Sequence, residues 1–220
     1  MNRRWVPLAC LTLLSACAQT PAIPTSHQGS DAGQVILGFG LTDFDKPWKA
    51  VGYRHVRLVI EREGSTPPQT GALVLQSPVL FSAGDYRSET ETGLVQSFSL
   101  PAGRYRVTNF QLVWEGGLSG QVKTFSAQPS FAIGFEVQAG KAVYLGNYQL
   151  NALSERNALG LPTPQGGVFV VTDRFAADSA IAQRKQLTSG APLNMTPDLT
   201  RLNHPQLLTP EQNAARLAKP

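Results

Sequence analysis

Apolar and polar side chains alternate with a period of two along residues 34–172. Because successive side chains of a strand point to opposite faces of the sheet, this alternation is typical of strands with one buried face. The two clearest apolar faces comprise Val35, Leu37, Phe39 and Leu41 in one strand and Phe131, Ile133, Phe135 and Val137 in another. Gly- and Pro-rich segments separate the strands, and no helical period lies between them. The pattern therefore predicts a mainly β domain, an antiparallel β-sandwich or barrel, rather than βαβ units.

One of these strands changes phase part-way along. Tyr105 and Val107 share one face, whereas the next apolar residues, Phe110 and Leu112, share the other. Either a β-bulge near residues 108–109 shifts the phase, or both faces are covered there. We favour the bulge, since one extra residue restores the alternation.

A helical segment follows the last strand. Asp173 is placed to cap a helix from Arg174 to about Leu187, and Gly190 lies beyond its end. The residues expected to face inward are Phe175, Ile181 and Ala182. We predict a β-sandwich domain over residues 34–190 that includes this terminal helix.

The last thirty residues, 191–220, form a polar, Pro-punctuated tail. Within it Thr209 and Gln212 have the spacing of a capping box, and Pro210 occupies the first helical position. The helix that they open is short and has few apolar residues to bury, so it is marginal on its own. We expect the tail either to lie over the sandwich or to be partly mobile.

The same turn occurs twice in the sandwich region. Residues 98–104 read Phe-Ser-Leu-Pro-Ala-Gly-Arg, and residues 135–141 read Phe-Glu-Val-Gln-Ala-Gly-Lys. Glycine in such a turn supplies a positive φ, and the basic residue after it is solvated. Both segments are therefore predicted to be hairpins of one type.

These turns also carry a resemblance. Residues 100–107 (Leu-Pro-Ala-Gly-Arg-Tyr-Arg-Val) and residues 135–146 resemble segments of uncharacterised bacterial lipoproteins with a transthyretin-like (prealbumin-like) β-sandwich. The resemblance spans about a quarter of the chain and consists of structural turns. It implies a transthyretin-like sandwich and brings no catalytic residues, because fold likeness alone does not give function.

The N-terminus has the layout of a bacterial export signal. Arg3 and Arg4 precede an apolar run over residues 5–14, which is shorter than the ~20 residues that cross a bilayer. The run ends in Leu14-Ser-Ala-Cys17, which resembles the lipobox of bacterial lipoproteins. The resemblance implies that residues 1–16 are a signal peptide and that Cys17 carries diacylglycerol, with a third acyl chain on the new amino group in many bacteria. The alternative is an ordinary cleavable signal that leaves Cys17 as a free thiol.

Residues 17–33 are predicted to be a flexible lipidated tether, since they are rich in Gln, Thr, Pro, Ser, Gly and Ala and lack periodicity. Ala18 follows Cys17 where an Asp would imply inner-membrane retention. By the same resemblance, the protein is expected in the cell envelope, on the outer membrane facing the periplasm.

Cysteine and charge exclude several functions. Besides Cys17 the chain has only Cys10, which lies in the signal and is a poor lipid acceptor because Pro7 occupies the position of the lipobox leucine. The mature chain then has no thiol for a disulfide, a metal cluster or catalysis. Without Arg3 and Arg4 the balance is 17 Lys and Arg against 15 Asp and Glu, a net charge of +2, and these charges are scattered. Nucleic acid is therefore not an expected partner.

Catalytic and metal-binding patterns are weak. The three histidines, His27, His55 and His204, lie far apart along the chain, and no Gly-x-Ser-x-Gly motif accompanies them. Asp43 and Asp45 are spaced for a shared cation, but no third ligand follows at EF-hand spacing. We therefore predict a protein that is not an enzyme and has no metal or cofactor.

Aromatic residues are the remaining candidates for binding. They are Trp48, Tyr53, Trp114, Tyr144 and Tyr148. Exposed aromatic side chains stack on sugars and serve as hot spots for proteins. The competing interpretation places Trp114 and one of the tyrosines in the core.

Three functions follow, in order of preference. The first is a non-enzymatic envelope lipoprotein, held on the membrane through lipid on Cys17, that binds or supports another envelope component, most simply a protein. The second is a glycan- or small-molecule-binding module that uses the aromatic residues. The third is a hydrolase with a dispersed site around His55 or His204.

Overall fold

The computed structural model describes residues 22–42, 52–76, 84–89, 91–116 and 120–218. The strands are β1 Ala32–Thr42, β2 His55–Arg62, β3 Gln69–Leu75, β4 Tyr86–Arg87, β5 Glu91–Pro101, β6 Gly103–Gly116, β7 Gln121–Ser126, β8 Ile133–Val137, β9 Ala142–Arg156, β10 Pro162–Thr172, β11 Leu193–Asn194 and β12 Leu207–Leu208. The helices are α1 Phe175–Arg184 and α2 Pro210–Leu217. The mainly β prediction is confirmed. The predicted signal peptide, Cys17, Asp43, Asp45 and Trp48 lie outside the described residues.

The strands form two sheets. The seven-stranded sheet has the order β12-β10-β9-β1-β5-β4, with β11 also beside β9, and the five-stranded sheet has the order β3-β2-β6-β7, with β8 also beside β6. The five-stranded sheet is antiparallel throughout, as predicted. The prediction is wrong for the seven-stranded sheet, where β1 runs parallel to β9. Both strands begin at the same end of the body, so they can pair only in parallel.

The main apolar core joins the inner faces of the two sheets. Phe110 of β6 and Phe169 of β10 meet edge to face, with ring centroids 4.8 Å apart. Phe169 also contacts the rings of Phe39 in β1 and Tyr148 in β9, at 6.4 and 6.2 Å. All four side chains are buried. Phe169 is therefore the residue through which aromatic packing connects the two sheets.

The phase change in β6 is a bulge. In the pairing of β2 with β6, Val59 lies opposite Asn109, but the next residue, Ile60, lies opposite Val107. Thr108 is the extra residue. The predicted bulge is confirmed, and it lets Val107 and Phe110 both point into the core.

The two similar turns are not hairpins, and that prediction is wrong. The first connects β5 in the seven-stranded sheet to β6 in the five-stranded sheet, and the second connects β8 back to β9. Ala102 N donates to Asp31 O, and Gly140 N donates to Ala32 O, each at 2.8 Å, so both turns lie beside the start of β1. A tight turn has the same sequence requirements whether the chain stays in its sheet or changes sheets. We call this end of the body, formed by residues 101–103 and 138–141, the crossover end.

The segment before β1 is packed on the body. Ile23 is buried, and its backbone N–H donates to Thr70 O in β3 at 2.8 Å. Further along, His27 N donates to Ser99 O in β5 at 2.9 Å. The segment thus bonds to both sheets, and the prediction of a flexible tether is wrong for residues 22–33. A polar composition gave no indication that one isoleucine would enter the core.

Helix α1 packs on the outer face of the seven-stranded sheet. It starts one residue later than predicted and ends three residues earlier. The N-cap residue is Arg174, whose side chain makes no capping hydrogen bond, so the prediction of Asp173 as the cap is wrong. Asp173 Oδ1 nonetheless accepts a hydrogen bond from Phe175 N at 2.9 Å. Ile181 and Ala182 are buried, as predicted, in a second apolar cluster with Ile36 and Tyr144.

The C-terminal tail also lies on the body, which was one of the two predicted alternatives. Strand β11 pairs with β9 and β12 pairs with β10, both in parallel. Leu199 and Leu207 are buried. The predicted capping box is confirmed, because Thr209 Oγ1 accepts from Gln212 N and the Gln212 side chain accepts from Thr209 N. Helix α2 itself buries no residue.

Candidate functional site

A buried polar cluster lies between α1 and the seven-stranded sheet. Its members are Tyr86, Tyr144, Asn147, Gln149 and Asp178. A second bulge, in β9, places Tyr144 and Asn147 on the same face: Tyr144 lies opposite Ile36, and Asn147 lies opposite Gly38. Asp178 reaches the cluster from the first turn of α1.

Hydrogen bonds connect the whole cluster. Asp178 Oδ2 accepts from Tyr144 OH at 2.7 Å and from Asn147 Nδ2 at 2.8 Å. Asn147 Oδ1 in turn accepts from Gln149 Nε2 at 2.7 Å, and the Tyr86 hydroxyl accepts from the same Gln149 amide at 2.6 Å. These bonds tie α1 and β4 to the middle of the sheet.

Two glycines make room for the cluster. A Cβ on Gly38 would overlap the side chains of Asn147 and Asp178, and a Cβ on Gly93 would overlap the phenol of Tyr86. Any other residue at either position would displace the polar groups. The alternation of Gly38 with apolar residues in β1 was visible in the sequence, but it does not say what the space is for.

Burial shifts the pKa values of the ionisable side chains in the cluster. It raises the pKa of Asp178, an effect partly offset by the hydrogen bonds from Asn147 and Tyr144 and by the charge of Arg174. Arg174 Nε lies 3.6 Å from Asp178 Oδ1, and its guanidinium stacks 4.0 Å from the centre of the Tyr86 ring. Burial also raises the pKa of Tyr86 to about 12 and that of Tyr144 further. Both phenols are protonated donors at neutral pH.

The geometry indicates that the cluster holds α1 in place on the sheet. General acid–base catalysis needs a substrate within hydrogen-bond reach of the acid. Asp178 and Asn147 have 0% and Gln149 has 2% of their surface exposed, so solvent and substrate do not reach these polar groups. The hydrogen bonds of this buried network join α1 to the sheet, although Gln149 Oε1 and Asp178 Oδ1 have no hydrogen-bond partner.

The aromatic residues predicted to bind a ligand are mostly core residues. Tyr53, Tyr144 and Tyr148 are buried, so the exposed aromatic surface that we predict from sequence is wrong for these three. Tyr53 donates its hydroxyl to Gly166 O at 2.6 Å, which joins the loop before β2 to β10. Trp114 is half-buried, packs against the main core and has Lys123 Nζ 5.9 Å from its ring centre. In a strand with one buried face, an aromatic side chain on the apolar side enters the core. Tyr144 and Tyr148 lie on opposite faces of β9 only because of the bulge between them.

Two of the three histidines, His27 and His204, make hydrogen bonds within the fold. His204 is buried, and its two ring nitrogens bond to the backbone, Nε2 to Pro129 O at 2.7 Å and Nδ1 to Gln206 N at 3.1 Å. His27 pairs with exposed Asp31 at 2.6 Å, and this hydrogen bond lowers the pKa of the Asp31 carboxyl. His55 lies in β2 opposite Val113. Over the described ranges, no three His, Cys, Asp or Glu side chains are grouped to hold a metal ion.

A cavity of about 300 Å³ opens at the crossover end. The polar side chains of its lining are those of Gln34, Glu136, Gln138, Lys141, Thr188 and Ser189. None of its lining residues is aromatic, so it does not provide the stacking surface expected of a glycan site.

A hairpin projects from the opposite end. The pairing of β1 with β9 ends at Leu150, but β9 and β10 continue to pair with each other as far as Arg156 and Pro162. We call residues 151–165 the arm. The sequence pattern did not predict this hairpin, because residues 151–167 lack a clean alternation of apolar and polar positions.

The tip of the arm is ordered and apolar. Asn157 Oδ1 accepts from Leu159 N at 2.9 Å and from Leu161 N at 3.0 Å, and Gly160 has a positive φ of 74°. Leu159 and Leu161 are nonetheless 83% and 58% exposed, and Leu153 is also exposed. Large apolar side chains grouped on an ordered, protruding loop are typical of an interaction surface.

No helix within the described parts of the chain is sufficiently long and apolar to cross a membrane. No known protein family and no curated protein matches the chain. Among solved structures, a leucine-rich repeat protein from Bacteroides thetaiotaomicron VPI-5482 is similar over 56% of this chain and 14% of its own length, with 14% sequence identity and a TM-score of 0.31. A likeness of this size carries no argument about fold or function.

Proposed function

We propose that the chain is the precursor of an envelope lipoprotein that is acylated on Cys17 and uses the arm to bind another envelope protein. In this proposal the two sheets are a β-sandwich of the transthyretin-like type, which holds the arm and performs no chemistry. The outer membrane, facing the periplasm, is the proposed location. The exposed leucines at the tip of the arm are the observation that carries the binding role.

Leu159 and Leu161 support this role because they are 83% and 58% exposed, so the body leaves both side chains largely unburied. Each fully buried leucine gains about 1.5–3 kcal/mol over its exposed state. The hydrogen bonds from Leu159 N and Leu161 N to Asn157 already hold the loop in one shape. A partner therefore loses little free energy in ordering it.

Acylation is tested first. In cells grown with labelled palmitate, we expect the wild-type chain in the membrane fraction with label, and Cys17→Ser without label. The reason is that two or three acyl chains bind a membrane stably, whereas a single chain gives only ~10⁴ M⁻¹. Cys10→Ser is the matched control and is expected to keep the label. A wild-type mature chain whose intact mass includes no lipid contradicts the proposal.

The arm is tested by crosslinking in intact cells. We expect a specific crosslinked product that falls at least tenfold in the double variant Leu159→Ser, Leu161→Ser, since about 1.4 kcal/mol corresponds to a factor of ten in affinity. The matched control is Leu193→Ser, which removes a leucine of 61% exposure outside the arm. Thermal unfolding is expected to be unchanged in both variants, because surface substitutions have small effects. An undiminished product in the arm variant overturns the assignment.

A further inference from the structure

We infer that the arm points away from the membrane that holds the lipid, so that its leucines enter an apolar recess on a protein rather than that membrane. This inference rests on the proposed acylation of Cys17. Without the strand directions, lipid and exposed leucines would look like two signals for the same bilayer. The strand directions place them at opposite ends of the body.

The lipid lies near the crossover end. Cys17 is five residues before Ala22, and five residues of extended chain reach at most ~18 Å. Ala22 is bridged to Thr70, which lies opposite Glu61 in the neighbouring strand. The next residue, Arg62, donates to Ala102 O at the crossover end, at 2.9 Å. The first membrane-tied residue of the body is therefore held beside the crossover end.

The arm lies at the other end of the same strand path. β9 begins at Ala142, directly after residues 138–141 of the crossover end, and ends at Arg156 in the arm. The strand has 15 residues. At ~3.3 Å per residue this strand is roughly 50 Å long. This length is more than twice the reach of the link between Cys17 and Ala22. With the crossover end against the membrane, Leu159 is held far above the lipid headgroups.

A pose with the body lying on its side has little to stabilise it. The outer face of the five-stranded sheet carries the ion pairs Arg106–Glu61, at 2.9 Å, and Arg104–Glu63, at 3.7 Å. Pairs of opposite charge offer no net attraction to an anionic membrane. On the other face, the exposed residues of α1 are three alanines, Gln183 and Arg184, which offer a membrane little apolar surface to bury.

The occupant of the arm is accordingly a protein. The arm carries one acidic and one basic residue, Glu155 and Arg156, so it presents no net charge to steer binding. Its recognition chemistry is two leucines, separated by one glycine, on a loop held by Asn157. A complementary partner offers an apolar recess with an uncharged rim, some 50 Å from the membrane surface as estimated from strand length.

Depth-dependent fluorescence quenching tests the orientation. A fluorophore is attached to Ala139→Cys at the crossover end or to Leu159→Cys at the tip of the arm, both exposed turn positions, in the otherwise thiol-free acylated chain. The protein is placed in vesicles of phosphatidylethanolamine and phosphatidylglycerol that contain nitroxide-labelled lipid. We expect the label at position 139 to lose most of its fluorescence and the label at position 159 to lose almost none.

Two results overturn the inference, and they are distinguishable. If the acylated protein floats with the vesicles and both labels are quenched equally, the arm touches the membrane, and the orientation is wrong while the proposed anchoring stands. If the chain carries no lipid and does not float, the proposed function fails and the inference fails with it. Flotation is measured on the same samples before quenching.

Discussion

Replacing Phe169 by Ala is expected to lower the free energy of unfolding by about 4 kcal/mol, within the usual range for a buried phenylalanine. The ring is fully buried and contacts Phe39, Phe110 and Tyr148, so its removal leaves a cavity between the two sheets that cannot close without moving a strand. The midpoint of urea unfolding measures the loss, with an unchanged slope showing that the unfolded state is the same. A chain of this size is expected to lose roughly 8–16 °C in Tm.

The matched control for this substitution is Phe125→Ala in β7. Phe125 is only half-buried and packs against the edge of the core, where it contacts Tyr53. We expect a loss of about 1–2 kcal/mol there, because part of the ring is already in water. Equal losses at the two positions would contradict the central place of Phe169 in the packing between the sheets.

Replacing Asp178 by Ala is expected to cost about 3 kcal/mol, whereas replacing it by Asn is expected to cost less than about 1 kcal/mol. Alanine leaves the Tyr144 hydroxyl and the Asn147 amide without their buried acceptor, at ~1–3 kcal/mol each. An asparagine oxygen still accepts from both. Thermal unfolding at neutral pH compares the three chains. If Asn is as damaging as Ala, the carboxylate charge and not the acceptor holds α1.

The stability difference between the wild-type chain and Asp178→Asn is also expected to depend on pH. Burial raises the pKa of Asp178 above its ordinary value of 3.8, so the folded chain binds more protons than the unfolded chain just above that pH. The contribution of Asp178 to stability is therefore greatest at low pH and is lost as the pH rises from about 4 through the folded pKa. The difference in unfolding free energy between wild type and Asp178→Asn is expected to fall over this window. A difference that rises with pH would show that Arg174 and the hydrogen bonds outweigh burial.

Local sequence rules predicted the features that depend on neighbouring residues alone. The alternation in β1 and β8, the bulge at Thr108 and the capping box at Thr209 are each set within a few residues. The strand pairings depend on the path of the whole chain, and the turn at residues 98–104 has the same composition whether or not it changes sheets. The alternation of apolar and polar residues therefore could not predict the parallel pairing of β1 with β9.

The candidate sites were less predictable for a different reason. Tyr144 and Asn147 share a face only because Gly146, at a φ of 98°, accommodates an extra residue in β9. The partners of Asp178 lie more than 30 residues away in the chain. The leucines of the arm were visible as letters, but exposure is a property of the assembled body, and nothing local distinguishes Leu159 from a core leucine.

The bonding of the N-terminal segment to both sheets has a mechanical consequence. If a partner pulls on the arm while acyl chains hold the other end, the load enters through the backbone around Ile23 and runs lengthwise along β1 and β9. Tension along paired strands stretches many backbone hydrogen bonds at once, whereas tension across them would open the bonds one after another. Under the proposed arrangement, the paired strands β1 and β9 would carry tension between the lipid and the arm without separating one hydrogen bond at a time.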